Sequence, residues 1–244
     1  MNAAGGASLP TVPEYLNTAG ARYEPITAEG PGTPAINCFP RQGWRRVTRE
    51  LFPNAFGVWA LPPQPDSNWL DNSILLVGHL TGTFDPAMLL RCAATDARRL
   101  PHWHEERFST DNYDGFESVS ITGTYVAESF TFWSFTRYLL VETTNGHYWI
   151  QLTTTLRARD GVDPSPQVPR LIIRVPADAA PSPQQFAANR SSPAPPAADE
   201  PTATSEAYRR PTPPPPTVGP TDLPDDWDDD NHYYLRNRKT GWTQ

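Results

Sequence analysis

Cysteine is scarce in this 244-residue chain, with Cys38 and Cys92 its two examples. Two cysteines make no disulfide framework, and no Cys-x-x-Cys or Cys/His spacing is present to close around zinc. A Cys38–Cys92 bridge stays open for an exported protein, although Cys92 falls in an apolar helical pattern and reads as a buried small hydrophobe. Lysine is scarcer still: Lys239 stands alone among twenty basic residues, the rest being arginine. That bias fits a GC-rich genome better than a wholesale use of bidentate contacts. The net charge of -7 excludes sequence-independent binding to nucleic acid, which needs a positive surface. No run reaches the roughly 20 apolar residues of a membrane-crossing helix. Met1–Pro10 lacks the basic and apolar regions of a signal peptide, and Ala35-Ile-Asn-Cys38 lacks the apolar run that precedes a lipobox. There is no Gly-x-Ser-x-Gly elbow, no Gly-x-Gly-x-x-Gly and no phosphate-binding loop. The motifs therefore imply no cofactor, no metal and no enzyme.

Proline is abundant, with 29 residues, many of them after residue 180, where Ala, Ser and Thr also crowd in. Four stretches follow from composition. Residues 1–34 are rich in Gly, Ala, Thr and Pro without periodicity and read as a flexible leader. Residues 35–176 hold most of the aromatics and read as one folded domain. Residues 177–224 read as a disordered Pro-rich linker, with Pro211–Pro216 in polyproline II. Residues 225–244 form an acidic and aromatic C-terminal peptide.

Within the domain, Phe56–Leu61 and the nearly continuous apolar run Ser73–Leu80 read as strands. Asp85-Pro86 reads as N-cap and first turn of a helix over 85–100, whose stripe is Met88, Leu89, Cys92, Ala93 and Ala97. Gly115–Gly123, Ser129–Val141 and Tyr148–Thr154 read as strands, the last two joined by a hairpin with Asn145-Gly146 in the turn. Arg170–Val175 is the last apolar run. These elements give an α+β fold class.

The order and spacing of Leu80, Gly82, Asp85-Pro86, Leu100-Pro101, Gly115-Phe116, Gly123-Thr124-Tyr125 and Gln151-Leu152 resemble the LpqN/LpqT family of actinobacterial exported proteins. The similarity covers roughly residues 35–176. It implies a PsbP-like, mostly antiparallel sheet with packed helices, and a binding protein of the cell envelope without a catalytic residue set. It also implies export, which leaves three routes open: a start upstream of Met1, a non-standard export route, or a cytoplasmic member. The chain departs from the family pattern at Arg157–Pro169, where three prolines and a glycine replace a helix. That departure predicts a thinly covered sheet face with apolar surface for a ligand, a partner or the tail.

Other motifs have bland readings that weigh more than the functional ones. His102-Trp-His104 puts two imidazoles on one face of an extended segment, with Glu105 or Asp111 nearby, but a surface strand explains it without a metal. Asp111–Phe116 is short of calcium ligands and reads as a turn at Asp114-Gly115. His79, in an apolar strand, reads as a satisfied core histidine. Alternation sends Phe130 and Phe132 to one face of their strand and Trp133 and Phe135 to the other; with Tyr138 these are the candidate ligand-binding residues. Trp227, Tyr233, Tyr234 and Trp242 are the candidate partner-binding residues. They are similar to the front part of a WW module whose remainder would lie beyond Gln244, and read as a docking peptide. The expected function is a non-catalytic binding module for an apolar small molecule, a lipid or a partner protein. The alternatives are an adaptor working through the Pro-rich arm and terminal peptide, and a hydrolase with a cryptic Ser/His/Asp set.

Overall fold

The computed structural model describes residues 8–63, 69–127 and 129–176. The chain enters through a helix, α1 (Val12–Ala19). Thr11 and Glu14 close a capping box: the Thr11 amide donates to Glu14 Oε2 (2.7 Å) and the Glu14 amide to Thr11 Oγ1 (3.3 Å). Gly20 ends the helix in the left-handed region, φ 72°. Val12 and Leu16, one turn apart, are buried. Strand β1 (Arg22–Pro25) follows. The flexible leader expected over 1–34 is therefore corrected across residues 12–25, because a capped helix and a paired strand occupy it.

The following strands are β2 (Ala35–Phe39), β3 (Arg45–Arg46), β4 (Gly57–Ala60) and β5 (Asn72–Thr81). Helices α2 (Pro86–Cys92) and α3 (Thr95–Arg98) come next. Then come β6 (His104–Ser109), β7 (Glu117–Ala127), β8 (Phe130–Thr143), β9 (Gly146–Arg157) and β10 (Arg170–Arg174). The main sheet runs β3-β4-β5-β9-β8-β7-β6, with β1 also on β5. All its pairings are antiparallel. β4 pairs with residues 72–75 of β5 and β1 with residues 78–81, so the two share one edge end to end. Tyr23 of β1 reaches Gly78, where any Cβ would overlap its ring. β10 pairs antiparallel with β2 in a separate two-stranded ribbon.

The helices cover one face of the sheet. Val12, Leu16, Leu89, Cys92 and Ala97 bury against Leu80, Val119, Tyr138, Leu140 and Trp149. The ribbon covers part of the other, where Ile36, Leu171 and Ile173 cluster with Leu75, Leu139, Ile150 and Leu152. Cys92 lies in the helix-face core and Cys38 beside the ribbon-face core, and both are free thiols. Burial pushes the Cys38 thiol up to about 12, with Arg46 pulling weakly the other way.

Of four local expectations, two stand and two are refined. The helix over 85–100 is two helices joined through Ala93 and Ala94, both buried; the Ala93 amide bonds to Leu90 O at 3.1 Å, a tighter turn than an α-helix makes. The N-cap at Asp85 stands, its Oδ1 accepting from the Ala87 amide at 2.9 Å. In the β8–β9 hairpin Thr143 faces Gly146, so Thr144 and Asn145 form the loop, and of Asn145 and Gly146 only the glycine has positive φ (116°). Thr143 Oγ1 accepts from the Asn145 amide (3.1 Å) and shapes that loop from its own side chain. The Asp114-Gly115 turn is present, both residues left-handed (φ 55° and 86°), beneath a Tyr113–Phe116 bridge. Tail residues 177–244, including Trp227, Tyr233, Tyr234 and Trp242, lie outside the described residues.

Candidate functional site

Trp133 stands near the start of β8, on the ribbon face. Its cross-strand neighbours are Thr124 on β7 and Leu156 on β9. The ribbon does not close this end of the sheet. Here a groove of about 360 Å³ opens over Trp133 and Leu156, with Leu61 and Val162 as its apolar walls. Trp133 and Leu156 are each 4% exposed, whereas Val162 on the rim is 58% exposed. A large apolar side chain left in water beside a hollow of mixed apolar and polar lining is the kind of surface that a ligand or partner covers.

The polar groups of the groove are held in place. The Trp133 indole N–H donates to Glu106 Oε2 at 3.1 Å. Asp71 accepts from the Arg157 amide at 2.7 Å, and its other oxygen lies 3.6 Å from Arg159 Nη2. Burial raises the Asp71 carboxyl above its ordinary value, and the Arg157 amide, Arg159 and Trp69 offset this in part. The segment between β9 and β10 forms the outer wall. It carries a short 3-10 turn, Ser165–Gln167, and no α-helix, as its prolines led one to expect. Arg41 Nε donates to Pro166 O (3.0 Å) and Trp44 Nε1 to Gln167 Oε1 (3.2 Å), tying the wall to the entry of β3.

The structure disperses the five aromatics taken as ligand-binding residues. Trp133 lines the groove. Phe135 is half-buried on the same face, toward the ribbon-side core. Phe132, 1% exposed, is on the opposite face against Trp69 (centroids 4.5 Å apart) and Tyr125 (5.3 Å). Phe130 is half-buried with the Arg157 guanidinium over its ring at 4.2 Å. Tyr138 lies under the helices beside Trp149, 5.6 Å between centroids. The alternation was read correctly, but it divides the set between two faces of the sheet.

The thinly covered sheet face is narrower than the sequence implied. β10 leaves the main sheet to pair with β2, and together they roof part of that face; the groove is what they leave open. Leu61, Asp71, Glu106 and Val162 were missed by the sequence reading. Val162, an isolated apolar residue between Gly161 and Asp163, carried the one local signal.

Among the described residues no group of three His, Cys, Asp or Glu side chains is placed to hold a metal. His102 has positive φ (53°) in a turn, while His104 opens β6, so the two imidazoles do not share an extended segment. His79 Nε2 lies 3.0 Å from the Asn145 carbonyl oxygen, so the ring is satisfied, but it is half-buried at the sheet surface and not a core residue. Burial lowers the pKa of His147, and Phe84 stands edge-on to its ring at 5.3 Å. Among the described residues no helix is long and apolar enough to cross a membrane.

Comparison with known proteins locates this architecture. A family model described as "Probable lipoprotein LpqN" matches residues 9–175, which takes in α1 and β1 as well as the domain read from the sequence. The proline-rich 28 kDa antigen of Mycobacterium tuberculosis is 28% identical over 174 residues, covering 70% of this chain and 56% of its own length. The chain thus spans little more than half of that relative. The putative lipoprotein LpqT of Mycobacterium leprae is 29% identical over 166 residues, 66% of this chain and 73% of that protein. The crystal structure of LpqN, described as involved in cell envelope biogenesis of Mycobacterium tuberculosis, superposes with a TM-score of 0.60 at 19% identity. That match covers 69% of this chain and 99% of the other.

Proposed function

Since the chain belongs to the LpqN family of actinobacterial lipoproteins, we propose that it is a non-catalytic binding module that holds an apolar small molecule or lipid chain in the groove over Trp133. One observation carries this reading: a buried indole and Leu156 form the floor of an open hollow whose rim residue, Val162, is 58% exposed. The polar groups around it are bonded to one another, so they are suited to orient a guest rather than to transform it. The description of the LpqN crystal structure supports a place in the cell envelope. The antiparallel sheet with helices on one face supports the PsbP-like assignment.

Proline density after residue 176 and the four aromatics Trp227, Tyr233, Tyr234 and Trp242 support a second reading, in which the terminal peptide recruits a partner protein. The two readings are compatible, since one concerns the domain and the other the tail.

The groove is tested with 1-decanol as probe, by NMR on the nitrogen-15 labelled chain. The Trp133 indole N–H and the Val162 amide should shift on titration, and Val162→Asp should weaken binding about tenfold by putting a charge on the apolar rim. Shifts confined to the helix face, or no shift, would remove the groove from consideration.

A further inference from the structure

Arg137 lies on β8 on the same face as Trp133, four residues along the strand, with Ser120 and Leu152 as cross-strand neighbours. Its guanidinium carbon sits 3.9 Å from the centroid of the Tyr113 ring and 5.4 Å from that of Phe135. Tyr113 is pinned above it: its hydroxyl donates to Leu171 O (2.9 Å) and accepts from the Leu171 amide (3.2 Å). Arg137 is half-buried, and its Nε is shielded from water with no hydrogen-bond partner.

The ion pairs among the described residues are Arg98–Glu105, Arg99–Glu14 and Arg159–Asp71, so Arg137 pairs with no carboxylate among the described residues. The nearby turn carboxylate, Asp114, is directed at the Ile173 amide (3.5 Å). Burial pulls the Arg137 pKa down, and Tyr113 is the neighbour that opposes it. A cation withdrawn from water and left without an anion is costly, and aromatic faces compensate for only part of that cost. Such a guanidinium is suited to an incoming carboxylate, which it can bind through two parallel N–H bonds.

The distance to the groove gives the ligand its shape. Four residues of strand span about 13 Å at ~3.3 Å per residue. Phe135 lies between Arg137 and Trp133 on the same face, flanked by Thr122 and Thr154. A headgroup at Arg137 would thus send an acyl chain past Phe135 to the indole. A single guanidinium matches the single charge of a carboxylate.

We propose that Arg137 is the headgroup anchor of an amphiphile site, taking the carboxylate of a single-chain fatty acid whose chain ends in the Trp133 groove. This rests on the groove being a binding site, and the experiment separates the two claims. Decanoate and 1-decanol share a chain and differ in head. Calorimetric titration of the full chain at neutral pH should show decanoate binding about tenfold tighter. Arg137→Gln should erase that preference and leave the decanol affinity unchanged, while R137K should retain part of it. Carboxyl carbon-13 decanoate bound to the unaltered protein gives a readout free of mutation: its carboxyl should titrate at lower pH than the free acid. Equal affinity for the two probes, a preference that survives R137Q, or a bound carboxyl that titrates like free acid would overturn the Arg137 anchor and leave the groove standing. Failure of both probes to bind the unaltered protein would overturn the groove and the anchor together.

Discussion

Asp71 shows how the groove is held by single residues. Its carboxylate joins the start of β5 to the end of β9 by accepting from the Arg157 amide, and it faces Arg159 across the groove wall. Burial outweighs both, so the folded-state pKa lies above the ordinary value of 3.8. The folded protein therefore holds more protons than the unfolded chain in the window above 3.8. Stability from this group is full below that window and declines as pH rises through the folded pKa. Asp71→Asn keeps an acceptor for the Arg157 amide and removes the titration. Urea unfolding from pH 3.5 to 7 should show the wild type losing stability relative to D71N as pH rises. A constant difference between the two across that range would contradict the assignment.

At the scale of elements, α1 is the informative case. It has eight residues and two fully buried apolar side chains, too short for periodicity to stand out among Gly, Ala and Pro. Its signals were present in another form: Thr11-x-x-Glu14 is a capping box, and Pro13 fits the first turn. Thr11→Ala should cost about 1 kcal/mol, read by denaturant unfolding, since it leaves the Glu14 amide without its acceptor. An unchanged midpoint would mean that α1 is held by packing alone.

Elements that announce themselves locally were legible. The Asp85-Pro86 start of α2 and the alternation along β8 needed no knowledge of distant residues. The hairpin loop shifted by one position because the Thr143 side chain shapes it, a contact that a dipeptide signal does not contain. The groove was not legible, because Leu61, Glu106 and the Leu156–Val162 stretch come from three separated segments that only the strand order brings together. For the same reason the apolar run that forms β10 gave no hint that it pairs with β2 instead of extending the main sheet.

On the scale of the molecule, the sheet is sealed by helices on one side and only partly roofed on the other. The N-terminal segment is part of that seal. Removing residues 1–34 deletes α1 and β1, unpairs one edge of β5 and exposes the surface against which Val12 and Leu16 bury. At about 1.5–3 kcal/mol per buried aliphatic side chain, those two alone contribute roughly 3–6 kcal/mol. A chain limited to residues 35–176 should be strongly destabilised or unfolded by circular dichroism, whereas one limited to 8–176 should melt cooperatively. Equal melting temperatures would return the segment to the role of a leader.

The central claim is that this half-roofed side, and not the helix-covered side, takes an apolar guest. The two sides carry different tryptophans: Trp133 lies under the groove, and Trp149 lies under the helices, 1% exposed. Paramagnetic relaxation by a nitroxide-labelled fatty acid separates them in one spectrum. The account predicts that the indole N–H of Trp133 and the amide of Val162 broaden first while the Trp149 indole stays sharp. Broadening of Trp149 ahead of Trp133 would place the guest on the other side of the sheet and contradict the account.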